Sequence, residues 1–146
     1  MAKPEIHSKS SAKKFGGIWE DYVEIHKLMD SSKGAIADNR HRALCHNAWF
    51  LSEIIERIKF QNSTPCKPDG RFYTIINSAG KEISVREIAE QHVLEDFGMR
   101  YIPSAQDYLQ EMEMKSWMNN GMGEPPTSFK KIEANKTLKK VALNRD

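Results

Sequence analysis

Apolar residues recur at helical spacing over several stretches of the chain and give way to a β-rich pattern over one. Tyr22, Ile25 and Met29 predict a first helix from Trp19 to about Asp30. Ser31-Ser32-Lys33-Gly34 closes it, with Gly34 able to take the left-handed conformation that helix ends favour. Leu44, Ala48, Leu51, Ile55 and Ile58 form one stripe of a longer helix over 39–59, widened by Trp49, Phe50 and Ile54. Asp38 or Asn39 supplies its N-cap through a short side-chain oxygen. So broad an apolar surface predicts a central, mostly buried helix. Pro65, Pro68 and Asp69-Gly70 then break the chain into a loop.

Residues 72–76 and 83–85 are rich in β-formers and bracket a turn over 77–81, which predicts a hairpin. A lone hairpin is marginal in water, so it is expected to pack on the helices. Ser84-Val85-Arg86-Glu87 matches a capping box and opens a helix that runs to about Phe97, before Gly98. Ser104-Ala105-Gln106-Asp107, after Pro103, opens another through Leu109 and Met112 to about Trp117. The fold class is α+β, mostly α: about four helices with one β-hairpin in a single small domain. Residues 1–14 read as a polar basic arm ended by Gly16-Gly17, and 15–118 as the globular core. Residues 119–146 read as a basic C-terminal extension whose end, 129–143, suits a short amphipathic helix.

Composition narrows the class without revealing the function. The chain has 146 residues, 39% hydrophobic and 29% charged, as in ordinary soluble domains. No apolar run approaches the roughly 18–20 residues that span a bilayer, so no membrane partner is expected. Met1 to Lys14 lacks the apolar stretch of a secretory signal. Two cysteines, Cys45 and Cys66, exclude a disulfide scaffold and point to a cytoplasmic setting. The net charge of +2 is unevenly spread: both ends are basic and the middle is mildly acidic. Basic ends suit nucleic acid or an acidic partner, whereas the acidic middle argues against a body that wraps DNA.

The histidines are the main candidates for chemistry. His26 and His92 each have a carboxylate four residues later, Asp30 and Asp96, and this spacing puts both side chains on one helix face. Such a pair can hold one divalent metal ion, or it can serve as an ordinary helix contact. Val85, Ile88, Ala89, His92 and Asp96 share a stripe, so His92 and Asp96 are expected to project toward the core. A carboxylate there is costly unless paired or metal-bound. His41 and His46, at i,i+5, lie roughly 140° apart on a regular helix and cannot easily grip one ion unless the helix starts late or bends. His7 in the arm reads as an ordinary surface residue, and Cys45 as a small core residue. Lys33, Arg40 and Arg42 form a cationic group able to bind phosphate, or to pair with the acidic middle of the chain. Phosphate-loop, dinucleotide, nucleophile-elbow and HExxH signatures are missing.

Several ordered strings carry a resemblance: HSKSSAKKFGG (7–17), IHKLMDSSK (25–33), NRHRALCH (39–46), EQHVLEDFG (90–98), Ile102-Pro103 and Trp117-Met118. Together they resemble an uncharacterised family of small phage and bacterial proteins. The resemblance implies that His7, His26, Asp30, Lys33, His41, His46, Glu90, His92 and Asp96 belong to the family's polar signature. Asn47, Tyr108 and Ala89 depart from its pattern. The expected metal ligands are therefore His26, Asp30, His41, His46, His92 and Asp96. Were the site catalytic, His92, Asp96 and His41 would carry hydrolysis of a phosphoester or nucleotide-like substrate, with Lys33, Arg40 and Arg42 steadying the anion. The alternative is a non-enzymatic phage accessory protein that binds a host or phage protein, its histidines structural and its basic tail the docking element. A third expectation is nucleic-acid binding through both basic ends.

Overall fold

A computed structural model of the chain describes residues 3–118. These residues form a mostly helical α+β fold with one two-stranded antiparallel hairpin. Helix α1, Pro4–Phe15, occupies the segment that reads as a polar arm. Proline in its first turn loses no hydrogen bond, Glu5 lies at its positive end and Lys13 and Lys14 at its negative end. Its inward face is His7, Ser8, Ser11 and Phe15. Three of these four are polar, so hydrophobic periodicity does not register the helix. Gly16 and Gly17 stop it at φ 91° and 75°, values that favour glycine.

A 3₁₀ turn, Trp19–Asp21, leads into α2, Val23–Asp30, which buries Ile25, His26, Met29 and Asp30. The closing Ser31–Gly34 is a further 3₁₀ turn, and Gly34 does not adopt the left-handed conformation expected of it.

The expected long helix over 39–59 is not continuous. Asp38 does cap the segment, its side chain accepting from the Arg40 N–H. A 3₁₀ turn, Asn39–His41, passes into a single helical turn, α3, Arg42–Cys45. His46 then leaves helical geometry at φ −96° and ψ 54°. The chain resumes as a π-helical turn, Phe50–Ile54, and a 3₁₀ turn, Ile55–Arg57. Bonds from outside the helical ladder hold the break. Asn47 donates to the Ala43 carbonyl at 2.9 Å and accepts from the Phe50 N–H at 2.9 Å, while the Ala48 N–H donates to the Pro103 carbonyl at 2.8 Å. The break also turns Leu44, Ala48 and Trp49 out of the expected stripe and leaves them exposed.

Strands β1, Thr74–Ile76, and β2, Glu82–Ser84, pair with Ile75 opposite Ile83, and both isoleucines face the core. Ser84 caps α4, Val85–Asp96, by accepting from the Glu87 N–H, and Gly98 follows at φ 67°. A full capping box opens α5, Ala105–Leu109, through Ser104 and Asp107. This helix ends eight residues short of the expected Trp117. Tyr22, Ile25, Met29, Leu51, Ile55, Ile75, Ile88 and Val93 form the dry centre, gathered from α2, the broken segment, the hairpin and α4. Residues 111–118, which carry a 3₁₀ turn at Ser116–Met118, belong to a separate unit. The expected amphipathic helix over 129–143 lies outside the described residues. No helix among the described residues is long and apolar enough to cross a membrane.

Candidate metal centre

Beside the dry centre lies a wet one. All five histidines converge there, and each is buried. His92 is its hub. Its ring stacks on His7 at 4.0 Å between centroids, lies nearly parallel to His26 with centroids 5.1 Å apart, and meets His46 edge-on at 4.9 Å. His41 meets His46 edge-on at 5.5 Å and shares a 2.8 Å hydrogen bond with the Ser32 hydroxyl. The break at His46 is what allows this pair to meet despite its i,i+5 spacing.

Two carboxylates enter the same space. Asp96 lies one turn after His92, as the stripe on α4 predicts, and Asp30 comes from the end of α2. Asp96 Oδ2 is 2.9 Å from His46 Nε2 and 3.3 Å from His92 Nε2, and Asp30 Oδ1 is also 3.3 Å from His92 Nε2. Asp30, His46, His92 and Asp96 each offer one ligand atom, and those atoms all lie within 4.8 Å of one another. Two nitrogens and two carboxylate oxygens in one buried space are a donor set that suits a divalent cation.

The orphaned atoms mark the same place. Among the described residues, the buried side-chain atoms that make no hydrogen bond are His7 Nε2, both oxygens of Asp30, Arg42 Nε, His46 Nδ1 and His92 Nε2. All belong to the cluster or touch it, whereas the other buried side-chain nitrogens and oxygens of the described residues are hydrogen-bonded, as folding demands.

Charge within the cluster is strongly biased. Burial opposes ionisation of Asp96, but its contacts with His46, His7 and His92 hold its carboxyl well below the usual range. Asp30 is likewise held low, burial being outweighed by His92 and Lys33. Burial and the neighbouring charges of His92 and His7 push His26 down to about 2, so it is neutral. Burial also lowers His41 and His46. For His7, burial is outweighed by Asp96 and Glu95, and its value rises. Asp30 and Asp96, both held low, stand in one buried group with His46 that could hold a cation.

Not every expected site residue joins the ligand group. His26 is held away from Asp30: its Nε2 lies 2.7 Å from the Ser11 hydroxyl and its Nδ1 2.8 Å from His92 Nδ1. His41 stands one ring further out and is not among the four converging donors. Lys33 Nζ is 3.7 Å from Asp30, and Arg42 is 3.7 Å from Asp96 while lying over the Phe97 ring. Arg40 turns to solvent and pairs with Asp38 at 2.7 Å, because the Asp38 cap holds it there. Glu90 pairs with Arg86 on the outer face of α4.

Hydropathy reading misses His7, which is not a surface residue. Its Nδ1 bonds Glu95 at 2.6 Å and its Nε2 reaches Asp96 at 3.3 Å. The i,i+4,i+8 spacing of His7, Ser11 and Phe15 after Pro4 is the signal that could have found it.

A sequence family described as a domain of unknown function (DUF6915) matches residues 2–118. The chain belongs to this family. The match takes in α1 together with every residue of the cluster, so the first helix is part of the family's domain and not an appendage to it. No curated protein and no solved structure shows significant similarity to the chain.

Proposed function

We propose that this protein binds one divalent cation through Asp30, His46, His92 and Asp96. The observation that carries the reading is that Asp30 and His92 bring orphaned buried atoms to the space where Asp30, His46, His92 and Asp96 offer four donors within 4.8 Å of one another. A carboxylate pair in a buried site is costly without a counter-charge, and a cation also satisfies the imidazole lone pairs. Four protein donors and near-complete burial are the pattern of a closed site, in which bound metal adds to folding stability.

The test is elemental analysis of the purified chain, with melting after EDTA and after return of zinc, manganese or magnesium. A cation that binds only the folded state stabilises it by about 2.7 kcal/mol at a hundredfold excess over its Kd. His92→Ala and Asp96→Asn are expected to abolish that gain. No retained metal and no shift in melting would leave the histidines structural and favour the accessory-protein reading.

Hydrolysis of a phosphoester is a second reading, favoured by Lys33 and Arg42 beside the ligand carboxylates. A bound cation supplies a polarised phosphoryl oxygen and a more acidic water, and the two side chains would steady the anion. Metal-dependent turnover of a nitrophenyl phosphodiester, lost in Lys33→Ala and in Arg42→Ala while metal content is kept, would establish it. Metal binding without turnover would leave the closed site as the function.

A further inference from the structure

Resting on the cation reading, we propose that Ser11, His26 and His92 form a hydrogen-bond relay whose direction reverses when a divalent cation binds. The relay carries occupancy of the cluster to helix α1.

The three side chains are in line and fully buried. Ser11 Oγ lies 2.7 Å from His26 Nε2, and His26 Nδ1 lies 2.8 Å from His92 Nδ1. At the far end, His92 Nε2 faces Asp30 Oδ1 and Asp96 Oδ2, each at 3.3 Å. A contact between two imidazole nitrogens requires one to donate and the other to accept. With one proton on each ring, only two arrangements satisfy it. In the first, Ser11 donates to His26 Nε2, His26 Nδ1–H donates to His92 Nδ1, and His92 Nε2–H points at the two carboxylates. In the second, His92 Nδ1–H donates to His26 Nδ1, His26 Nε2–H donates to Ser11 Oγ, and His92 Nε2 presents a lone pair.

The carboxylates choose between them. Without a cation, an N–H facing two anions is favoured and the first arrangement holds. A cation between the carboxylates requires the lone pair and imposes the second. The residue at the end of the relay must then change from donor to acceptor. A hydroxyl does so by rotating, which a backbone amide or a carbonyl cannot do. Each ring holds one proton in both states. The His26 Nδ1 proton passes to His92 Nδ1, and the proton lost at His92 Nε2 is matched by one gained at His26 Nε2, while Ser11 keeps its hydroxyl proton and turns it away from His26. No net proton is released. His26 is thus a positioning residue that fixes the tautomer of a ligand, the role that hydrogen-bond partners of metal-bound histidines commonly play.

The experiment reads the tautomers directly, from long-range ¹H–¹⁵N spectra of the histidine side chains in the full chain, in EDTA and then with equimolar Zn²⁺. The expected result is Nε2–H on His92 and Nδ1–H on His26 in EDTA, with both reversed in zinc. Ser11→Ala, which keeps the packing nearly intact, should weaken zinc binding on the order of 10–100-fold. If zinc changes the His92 signals while the His26 tautomer stays fixed, the relay is overturned and the cation site stands. If zinc changes no histidine signal, both fail. Reversal in Ser11→Ala with undiminished zinc affinity would overturn the role of the hydroxyl.

Discussion

Helix α4 and the segment 39–57 each bring two residues to the cluster, by opposite means. Helix α4 brings His92 and Asp96 to it on one uninterrupted face, and its start is fixed by its own neighbour Ser84. Segment 39–57 brings His41 and His46 from a chain that changes helical type three times. Ties from elsewhere hold it: the Ala48 N–H bonds the Pro103 carbonyl, and the Tyr108 hydroxyl donates to the His46 carbonyl at 2.9 Å. The difference follows from spacing. Side chains at i,i+4 share a face of a regular helix, so α4 can be regular. Side chains at i,i+5 do not, and bringing both to one place requires a break whose freed backbone groups find other partners.

The largest effect is expected where the break is held. Asn47→Ala removes the side chain that bonds on both sides of it and strands buried backbone groups, at a cost of about 2–4 kcal/mol in urea unfolding. A loss below about 1 kcal/mol would mean that the break is set locally, and the contrast with α4 would fail. Tyr108→Phe should cost about 1–1.5 kcal/mol by stranding the His46 carbonyl, and should weaken metal retention as His46 relaxes. An unchanged melting temperature would show that α5 does not hold the break.

Ser84→Ala probes the regular partner and should cost about 1 kcal/mol, the usual loss for an N-cap. Metal affinity should be unchanged, because the rest of α4 is fixed by packing. A fall in affinity as large as that of Tyr108→Phe would erase the distinction between the two regions.

The smallest effect tests a long-range tie outside the cluster. Asp21 accepts from the Ser78 hydroxyl and N–H and from the Ile18 N–H, joining the turn before α2 to the hairpin loop. Slight burial is outweighed by these bonds, which lower its value below the ordinary 3.8. A lowered carboxyl stabilises the fold in full above its unfolded value and loses that contribution as pH falls through the folded one. The stability gap between the wild type and Asp21→Asn should therefore narrow below about pH 4. A constant gap down to pH 2 would show that the carboxylate charge plays no part.

Much of this contrast could be read from the residues, and the parts that could not share one cause. The hairpin, α4 with its Ser84 cap, the start of α5 and the inward face of His92 and Asp96 rest on local signals of cap, turn and period. The fold class follows from them. Helix α1 escaped because its buried face is histidine and serine, which hydropathy scores as solvent-facing. Over 39–59 the apolar positions keep a helical period through the break, which hydropathy cannot register, so they predict one continuous helix where the chain has none.

Local patterning along the chain specifies which residue pairs share a helix face, where the chain turns, and that His92 and Asp96 enter the core together. The packing of the elements is what brings Asp30 and His46 into the donor set, turns His26 to Ser11 and His92, and buries His7 against Asp96. Those contacts join residues up to 89 positions apart. Their formation depends on how α1, α2, the broken segment and α4 pack around one buried space. A one-dimensional pattern encodes the period of each element and not the angle at which two elements meet.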